Sequence, residues 1–308
     1  MIVLLKIEHL TKKYGTFEVL KDISFQVPSG SIYGFLGKNG AGKTTTMNIL
    51  TGLINYNSGN ISIDDKDFST NKRQILKTIG YLPQTPVFYG FMTGYEYLKF
   101  IGNLSGMSHK EISIRTDEVL EKVDLKSDAA RRRLSGYSGG MKQRFGIATA
   151  LFNHPKILFL DEPTASLDPE GRMEVLDLIE NLKSEGITVF LSSHILNDIE
   201  RVCSEVSILD QGKILISSNL KQLEKKYIQP IFDIEVDGDI PFLKEVLMEH
   251  PFIENIKISQ NKLSIYVKDI SEGKKQLLKL ILSTNNTVLS YNIRKSNLED
   301  IFMRMVIK

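Results

Sequence analysis

Gly37, Gly42, Lys43 and Thr44 stand at the spacing G-x-x-x-x-G-K-[ST], in the run Gly37-Lys-Asn-Gly-Ala-Gly-Lys-Thr44. That spacing suits a loop that holds an anion. Glycines let successive backbone N–H groups turn inward where a Cβ would obstruct them. An apolar strand over Ser31–Leu36 leads in, and a helix over Thr44–Leu53 leads out and adds its positive end. The residues expected around a triphosphate are Gly37, Asn39, Gly40, Ala41, Gly42, Lys43, Thr44 and Thr45. Lys43 is expected to reach the β- and γ-phosphates, and the Thr44 hydroxyl to ligate Mg²⁺. The plain alternative is a turn between strand and helix. The flanking elements weigh against it.

A second constellation lies downstream. Ile157-Leu-Phe-Leu160 is an apolar run that ends in Asp161 and Glu162. A carboxylate at the carboxyl end of a parallel strand faces the ligand crevice. Asp161 is expected to hold Mg²⁺ through water, and Glu162 to polarise an attacking water. Alone, two acids after a strand more often open a helix; behind a phosphate loop the balance reverses. His194 follows another apolar strand and Ser192-Ser193. Its two readings are a locally satisfied loop histidine and a contact to the terminal phosphate, the second favoured by position. Tyr14, at a strand end, can pack on the sheet.

Further segments carry a resemblance. Tyr137-Ser-Gly-Gly-Met-Lys-Gln-Arg144 is similar to the signature segment of the ATP-binding cassette (ABC) family. Asp161-Glu-Pro-Thr-Ala-Ser-Leu-Asp168 resembles the family's acidic strand end followed by its D-loop. Gln84 after Tyr81-Leu-Pro83, His194, and Tyr14 in Lys13-Tyr14-Gly15 match the family's glutamine, switch histidine and adenine-stacking aromatic. The resemblance runs from about Leu4 to Asp210 with the motifs in order. It implies ATP and Mg²⁺ as ligands. Gln84 would sense Mg²⁺ and water, and Tyr14 stacking would contribute about 1–3 kcal/mol. Ser138, Gly139 and Gly140 would begin a helix and, with Asp168, serve the γ-phosphate bound to the opposite subunit of a homodimer. Tyr137 replaces the commoner leucine, Met141 the commoner glutamine, and Ala165-Ser166 inverts the usual order. None of these removes a group the chemistry needs. The branch most resembled is bacterial export of drugs, antibiotics or antimicrobial peptides, with a separate transmembrane permease subunit. The alternative is a soluble ABC-type ATPase acting on ribosomes or DNA. Such proteins carry two cassettes or a long coiled coil, and neither is visible here.

These residues need a scaffold. Strands over Ile2–His9, Ile23–Val27, Ile61–Ile63, Ile79–Leu82, Ile157–Leu160, Thr188–Ser192 and Glu205–Asp210 alternate with helices over Lys72–Lys77, Glu111–Val123, Lys142–Phe152, Arg172–Ser184 and Ile195–Arg201. That alternation predicts an α/β P-loop NTPase fold with a mainly parallel central sheet. The domain is expected over 1–218, with a helical subdomain at about 86–140. Phe88, Tyr89 and Phe91 in that subdomain are either packed core or the lining of a groove for a membrane partner. Residues 219–308 read as a small α+β domain. Its strands Ile231–Val236, Ile253–Ser259, Leu263–Val267 and Thr287–Ile293 and helices Pro241–Glu249 and Gly273–Leu282 give the ferredoxin-like order β-α-β-β-α-β. A last helix is expected over Leu298–Val306.

Composition narrows the setting. The net charge of +2 argues against a dedicated nucleic-acid binder, and no nucleic acid is expected as a partner. The single cysteine, Cys203, suits a reducing compartment. The start, Met1–Lys6, is too short an apolar run for a secretory signal, and no run of about 18 apolar residues occurs. The expected place is the cytoplasm, peripheral on the inner face of the cell membrane.

Overall fold

The first half of the chain begins as a long hairpin. In the computed structural model, which describes residues 2–125, 127–226, 230–294, 298 and 302, β1 (Val3–Tyr14) pairs antiparallel with β2 (Phe17–Pro28). Both strands outrun the apolar segments Ile2–His9 and Ile23–Val27 that marked them in sequence. Polar Lys12 and Lys13 extend the ladder because the short turn at Gly15, with φ +59°, keeps pairing them with Leu20 and Glu18.

β3 (Ile32–Leu36) is buried at all five positions and delivers the chain to α1 (Lys43–Leu50). β4 (Ser58–Ile63), β5 (Lys66–Asp67), α2 (Phe68–Leu76) and β6 (Ile79–Leu82) follow. Then come α3 (Gly94–Leu104), α4 (His109–Lys122) and α5 (Ser127–Ala130). α3 was not among the helices expected from sequence, although Tyr97, Leu98, Ile101 and Leu104 recur at helical spacing; only Leu98 of these is buried. Its start is chemical: Thr93 accepts from the Glu96 N–H while the Glu96 carboxylate accepts from the Thr93 N–H. Ser108 and Glu111 open α4 in the same way.

α6 (Gly139–Leu151), β7 (Ile157–Asp161), α7 (Pro169–Ser184), β8 (Thr188–Ser193), α8 (Leu196–Val202), β9 (Glu205–Asp210) and β10 (Lys213–Asn219) complete this part, and α9 (Leu220–Lys226) follows. β1 and β2 join β4 and β5 in an antiparallel sheet ordered β2-β1-β4-β5. The central sheet runs β10-β9-β3-β8-β7-β6, parallel except for the β10–β9 hairpin. The parallel register positions the site. Leu36 lies opposite Ser193, Ser192 opposite Asp161, and Leu160 opposite Leu82. The segments after β3, β6, β7 and β8 therefore leave the sheet along one edge, where α/β folds bind ligands.

An aromatic cluster sits under that edge. Phe190 packs against Phe25, Tyr33, Phe35 and Phe159 with ring centroids 5.3–5.8 Å apart. The chain divides into two compact units, 1–220 and 221–308. The second comprises β11 (Ile231–Asp237), α10 (Ile240–Met248), β12 (Ile253–Ser259), β13 (Lys262–Val267), α11 (Ile270–Leu282) and β14 (Thr287–Ile293). Its antiparallel sheet is ordered β12-β13-β11-β14, the split β-α-β arrangement. Phe232, Ile234, Leu263 and Ile265 join Leu243, Leu247, Leu277 and Ile281 in its core. The helix expected over Leu298–Val306 lies outside the described residues, apart from positions 298 and 302.

Phe190 is fully buried and central to its cluster. Phe190→Ala should lower the unfolding free energy of the first unit by about 3–5 kcal/mol in chemical denaturation. A loss below about 1 kcal/mol would show that the cluster does not support the sheet.

Candidate functional site

Two glycines of the loop after β3 are fixed by space. A Cβ on Gly37 would come within 2.5 Å of the Leu209 carbonyl oxygen. Gly42 has φ +113°, and a Cβ there would lie 2.7 Å from Leu20 Cδ2. Gly40, at φ +81°, faces open space. The loop closes on itself where Ala41 N–H donates to Lys38 O at 3.1 Å. No side chain caps α1 at Gly42, so its first N–H groups carry the helix dipole toward the loop mouth. Asn39 and Thr44 are exposed beside that mouth, and Thr45 is half-buried. Lys43 is buried. Its ammonium donates to Gly37 O at 2.7 Å and to Lys38 O at 3.2 Å.

Two strand ends meet that ammonium. Lys43 Nζ lies 3.0 Å from Glu162 Oε1. Glu162 Oε2 lies 2.6 Å from His194 Nδ1 and accepts weakly from the His194 N–H at 3.4 Å. Glu162 is 5% exposed and has φ +49°, a left-handed conformation uncommon outside glycine. Its N–H donates to Ser192 O at 3.2 Å and to Ser192 Oγ at 3.1 Å. Ser192 Oγ in turn donates to Asp161 Oδ1 at 2.5 Å. The other carboxylate oxygen, Asp161 Oδ2, is buried and has no hydrogen-bond partner among the described residues. Burial pushes the Asp161 carboxyl above its ordinary range, against the lowering by the Ser192 and Thr44 hydroxyls. A buried carboxylate oxygen with one free face, next to the Thr44 hydroxyl, fits the donor set of a hard divalent cation.

A second cluster forms at the start of α6. Ser138 caps the helix, its Oγ accepting from Met141 N–H at 3.3 Å. A Cβ on Gly139 or Gly140 would meet nothing closer than 3.8 Å, so both backbones are open. Asp168 caps α7 through Gly171 N–H at 3.0 Å. The two helix starts line one groove of about 440 Å³, shared by Ser138, Gly139, Gly140, Arg144, Leu167 and Asp168. The far end of α6 is fixed by buried Arg115 from α4, which donates to Phe152 O at 3.0 Å and to Leu151 O at 2.5 Å.

The sequence-predicted residues thus fall into groups. Lys43, Asp161, Glu162 and His194 converge, with Thr44 beside Asp161. Ser138, Gly139, Gly140 and Asp168 share the separate groove, which none of the loop residues lines. Gln84 is exposed just past β6, one strand from β7, and makes no hydrogen bond with either acid among the described residues. Tyr14 ends β1 at 51% exposure, with Lys12 Nζ 4.8 Å from its ring centroid. Its ring therefore presents a free face rather than packing into the sheet. Ser192 was missed as a partner of both acids. Its signal was present in the two hydroxyls that end an otherwise apolar buried strand.

Comparison with known proteins places this geometry. Residues 20–165 match the family model described as ABC transporter, and residues 219–306 the one described as ATP-binding protein DrrA1-3-like, C-terminal domain. The ABC transporter ATP-binding protein YxlF of Bacillus subtilis is 39% identical, over 98% of this chain and 99% of its own length. The bacitracin transport ATP-binding protein BcrA of Bacillus licheniformis is 38% identical, over 99% and 98%. Among solved structures, the ATP-binding cassette MJ0796, in a dimeric post-hydrolysis state bound to ADP and Pi, superposes with a TM-score of 0.64 at 26% identity, over 70% of this chain and 99% of that one. Matched from end to end by proteins of one kind, and folded as they are, the chain belongs to the ATP-binding subunits of ABC transporters.

Proposed function

We propose that the chain hydrolyses MgATP in a two-fold dimer and so powers export of an antibiotic or antimicrobial peptide through a separate membrane subunit. The observation that carries the hydrolytic part is the meeting of Lys43, Glu162 and His194 within 3.0 Å contacts at the ends of three adjacent parallel strands. The export part rests on kinship, since relatives are named for bacitracin, linearmycin and lantibiotic transport.

The site assigns each group a task. The N–H groups of the loop at Gly37, Asn39, Gly40, Ala41 and Gly42 and of α1 at Lys43, Thr44 and Thr45 hold the phosphates. Lys43 turns from the loop carbonyls to the β- and γ-phosphate oxygens. That movement frees Glu162 to orient and deprotonate the attacking water. His194 steadies Glu162 and offers a donor to the γ-phosphate. Asp161 and Thr44, with Gln84 as sensor, hold Mg²⁺. When bound there, Mg²⁺ would supply charge neutralisation for the phosphates. Tyr14 gives its free ring face to the adenine.

The groove of Ser138, Gly139, Gly140 and Asp168 has two helix N-termini, open glycine backbones and one cation, Arg144, among its lining. It suits the γ-phosphate of ATP held by a second copy, so a two-fold dimer makes two shared sites. Val87, Tyr89 and Phe91 expose large apolar surface just beyond Gln84. That patch is the place for a helix of the membrane subunit. No helix of the described residues is long and apolar enough to cross a membrane, so the translocation path is assigned to that partner. The chain then sits on the cytoplasmic face.

Glu162→Gln should cut steady-state hydrolysis by about a hundredfold or more while ATP affinity holds and the ATP-bound dimer persists on size exclusion. Normal turnover in that variant would remove Glu162 from its role. Asp161 gives a stability test. With its native pKa raised above the ordinary 3.8, it costs nothing at lower pH. The penalty grows as pH rises through the raised value and then stays. Asp161→Asn should therefore raise the thermal midpoint of the nucleotide-free protein at pH 7, and the gain should shrink as pH approaches about 4. Each 1 kcal/mol relieved corresponds to roughly 2–4 °C. The same variant should lose the extra stabilisation that Mg²⁺ gives with ATP. A midpoint at pH 7 equal to or below that of the unaltered protein would contradict the account.

A further inference from the structure

Glu162 is strained twice over. It has φ +49° and it precedes Pro163, whose ring crowds the residue before it. Such a conformation costs about 1–3 kcal/mol and persists only when its surroundings hold it. One hold is the pair of bonds from Glu162 N–H to Ser192. The other lies two residues on. Thr164 Oγ1 donates to Asp198 Oδ2 at 2.5 Å.

Asp198 is 1% exposed and sits on α8, four residues after His194. Its second oxygen, Oδ1, accepts from Arg172 Nε at 2.7 Å and Nη2 at 2.5 Å. Arg172 lies in the first turn of α7, and its N–H donates to Asp168 O at 2.9 Å. Asp168 lines the groove with Ser138. One buried carboxylate thus joins three segments: the corner that carries Glu162, the helix that starts in the groove, and the helix that follows His194.

We propose that Asp198 is a positioning residue that fixes Glu162 through Thr164 and, through Arg172 and Asp168, carries the state of the groove into the hydrolytic centre. The proposal rests on the roles given above to Glu162 and to the groove. A phosphate engaging the groove moves the start of α7. Arg172 moves with it, and Asp198 passes the displacement to Thr164 and the strained corner. A carboxylate suits this place because its two oxygens are rigidly coupled. A shift of one is felt at the other, inside a buried setting where a lost partner costs much. The two ATP sites of a dimer are then linked through the protein as well as through the shared interface.

The plain alternative is a buried ion pair that only staples α7 to α8. Thr164→Val separates the two. It removes one hydroxyl at nearly constant volume and leaves the Asp198–Arg172 pair intact, and Thr164→Ser restores the donor. The full chain is assayed for ATP affinity, kcat, the Hill coefficient of hydrolysis and thermal midpoint. Thr164→Val should lower kcat about tenfold to a hundredfold with ATP affinity unchanged, as expected for a displaced catalytic group. Its Hill coefficient should fall toward unity, and Thr164→Ser should behave as the unaltered chain. Asp198→Asn should reproduce the valine variant. Unchanged kcat in Thr164→Val, or a lowered kcat with the Hill coefficient kept, would overturn the proposal whatever the thermal midpoint does. Glu162→Gln in the same assay identifies which claim failed. If it is inactive while Thr164→Val is normal, only the Asp198 link is lost. If it is active, the reading of Glu162 is lost as well.

Discussion

Two adjacent buried acids and one buried ammonium share the carboxyl edge of the central sheet, and the rest of the site is arranged around that charge problem. Asp161 and Glu162 repel one another at close range, where screening by water is weak. Lys43 offsets this through its 3.0 Å contact with Glu162, and Ser192 through hydrogen bonds to both residues. A triphosphate adds negative charge beside the same acids and competes for the same ammonium. In the function proposed here, binding exchanges one partner of Lys43 for another, and that exchange ties nucleotide entry to the release of Glu162. The unpartnered face of Asp161 Oδ2 is where a bound divalent cation would lower the combined repulsion.

The groove solves a related problem by other means. On the reading proposed above, it would hold an anion with backbone N–H groups and two helix ends, beside the one side-chain cation of its lining, Arg144. Backbone dipoles are fixed by the helices and need no rearrangement when charge arrives. α6 is held for that task at both ends, by the Ser138 cap and by Arg115 at Leu151 and Phe152. Its axis is set by α4 of the helical subdomain, so a displacement of that subdomain also displaces the groove. The exposed aromatic patch at Val87, Tyr89 and Phe91 belongs to the same subdomain, which gives a membrane partner a physical route to the groove.

Much of this was legible in sequence because local chemistry dictates it. The loop at Gly37–Thr44 needs glycine at positions where a Cβ collides, so its spacing is written in the chain. β3, β7 and β8 are buried at every position and appear as short apolar runs. α3 was legible but missed: its stripe of Tyr97, Leu98, Ile101 and Leu104 and its Thr93–Glu96 capping box both stand in the sequence. β10 was not legible, because its apolar run, Ile214-Leu215-Ile216, is short and its positions alternate half-buried and exposed. The tertiary partners were the least visible. Ser192 meets Asp161, and Asp198 meets Thr164, across more than 30 residues. No periodicity within either segment encodes which hydroxyl faces which carboxylate. Register between strands decides the first pair, and packing of α8 against the turn that follows β7 decides the second.

The central claim is that one chain holds half of each active site and a second copy completes it. Specific ATPase activity measured against protein concentration at saturating MgATP tests it most directly. Activity per chain should fall steeply on dilution, in step with dissociation of the dimer followed by sedimentation. Constant activity per chain, down to concentrations where the protein sediments as a monomer, would contradict it.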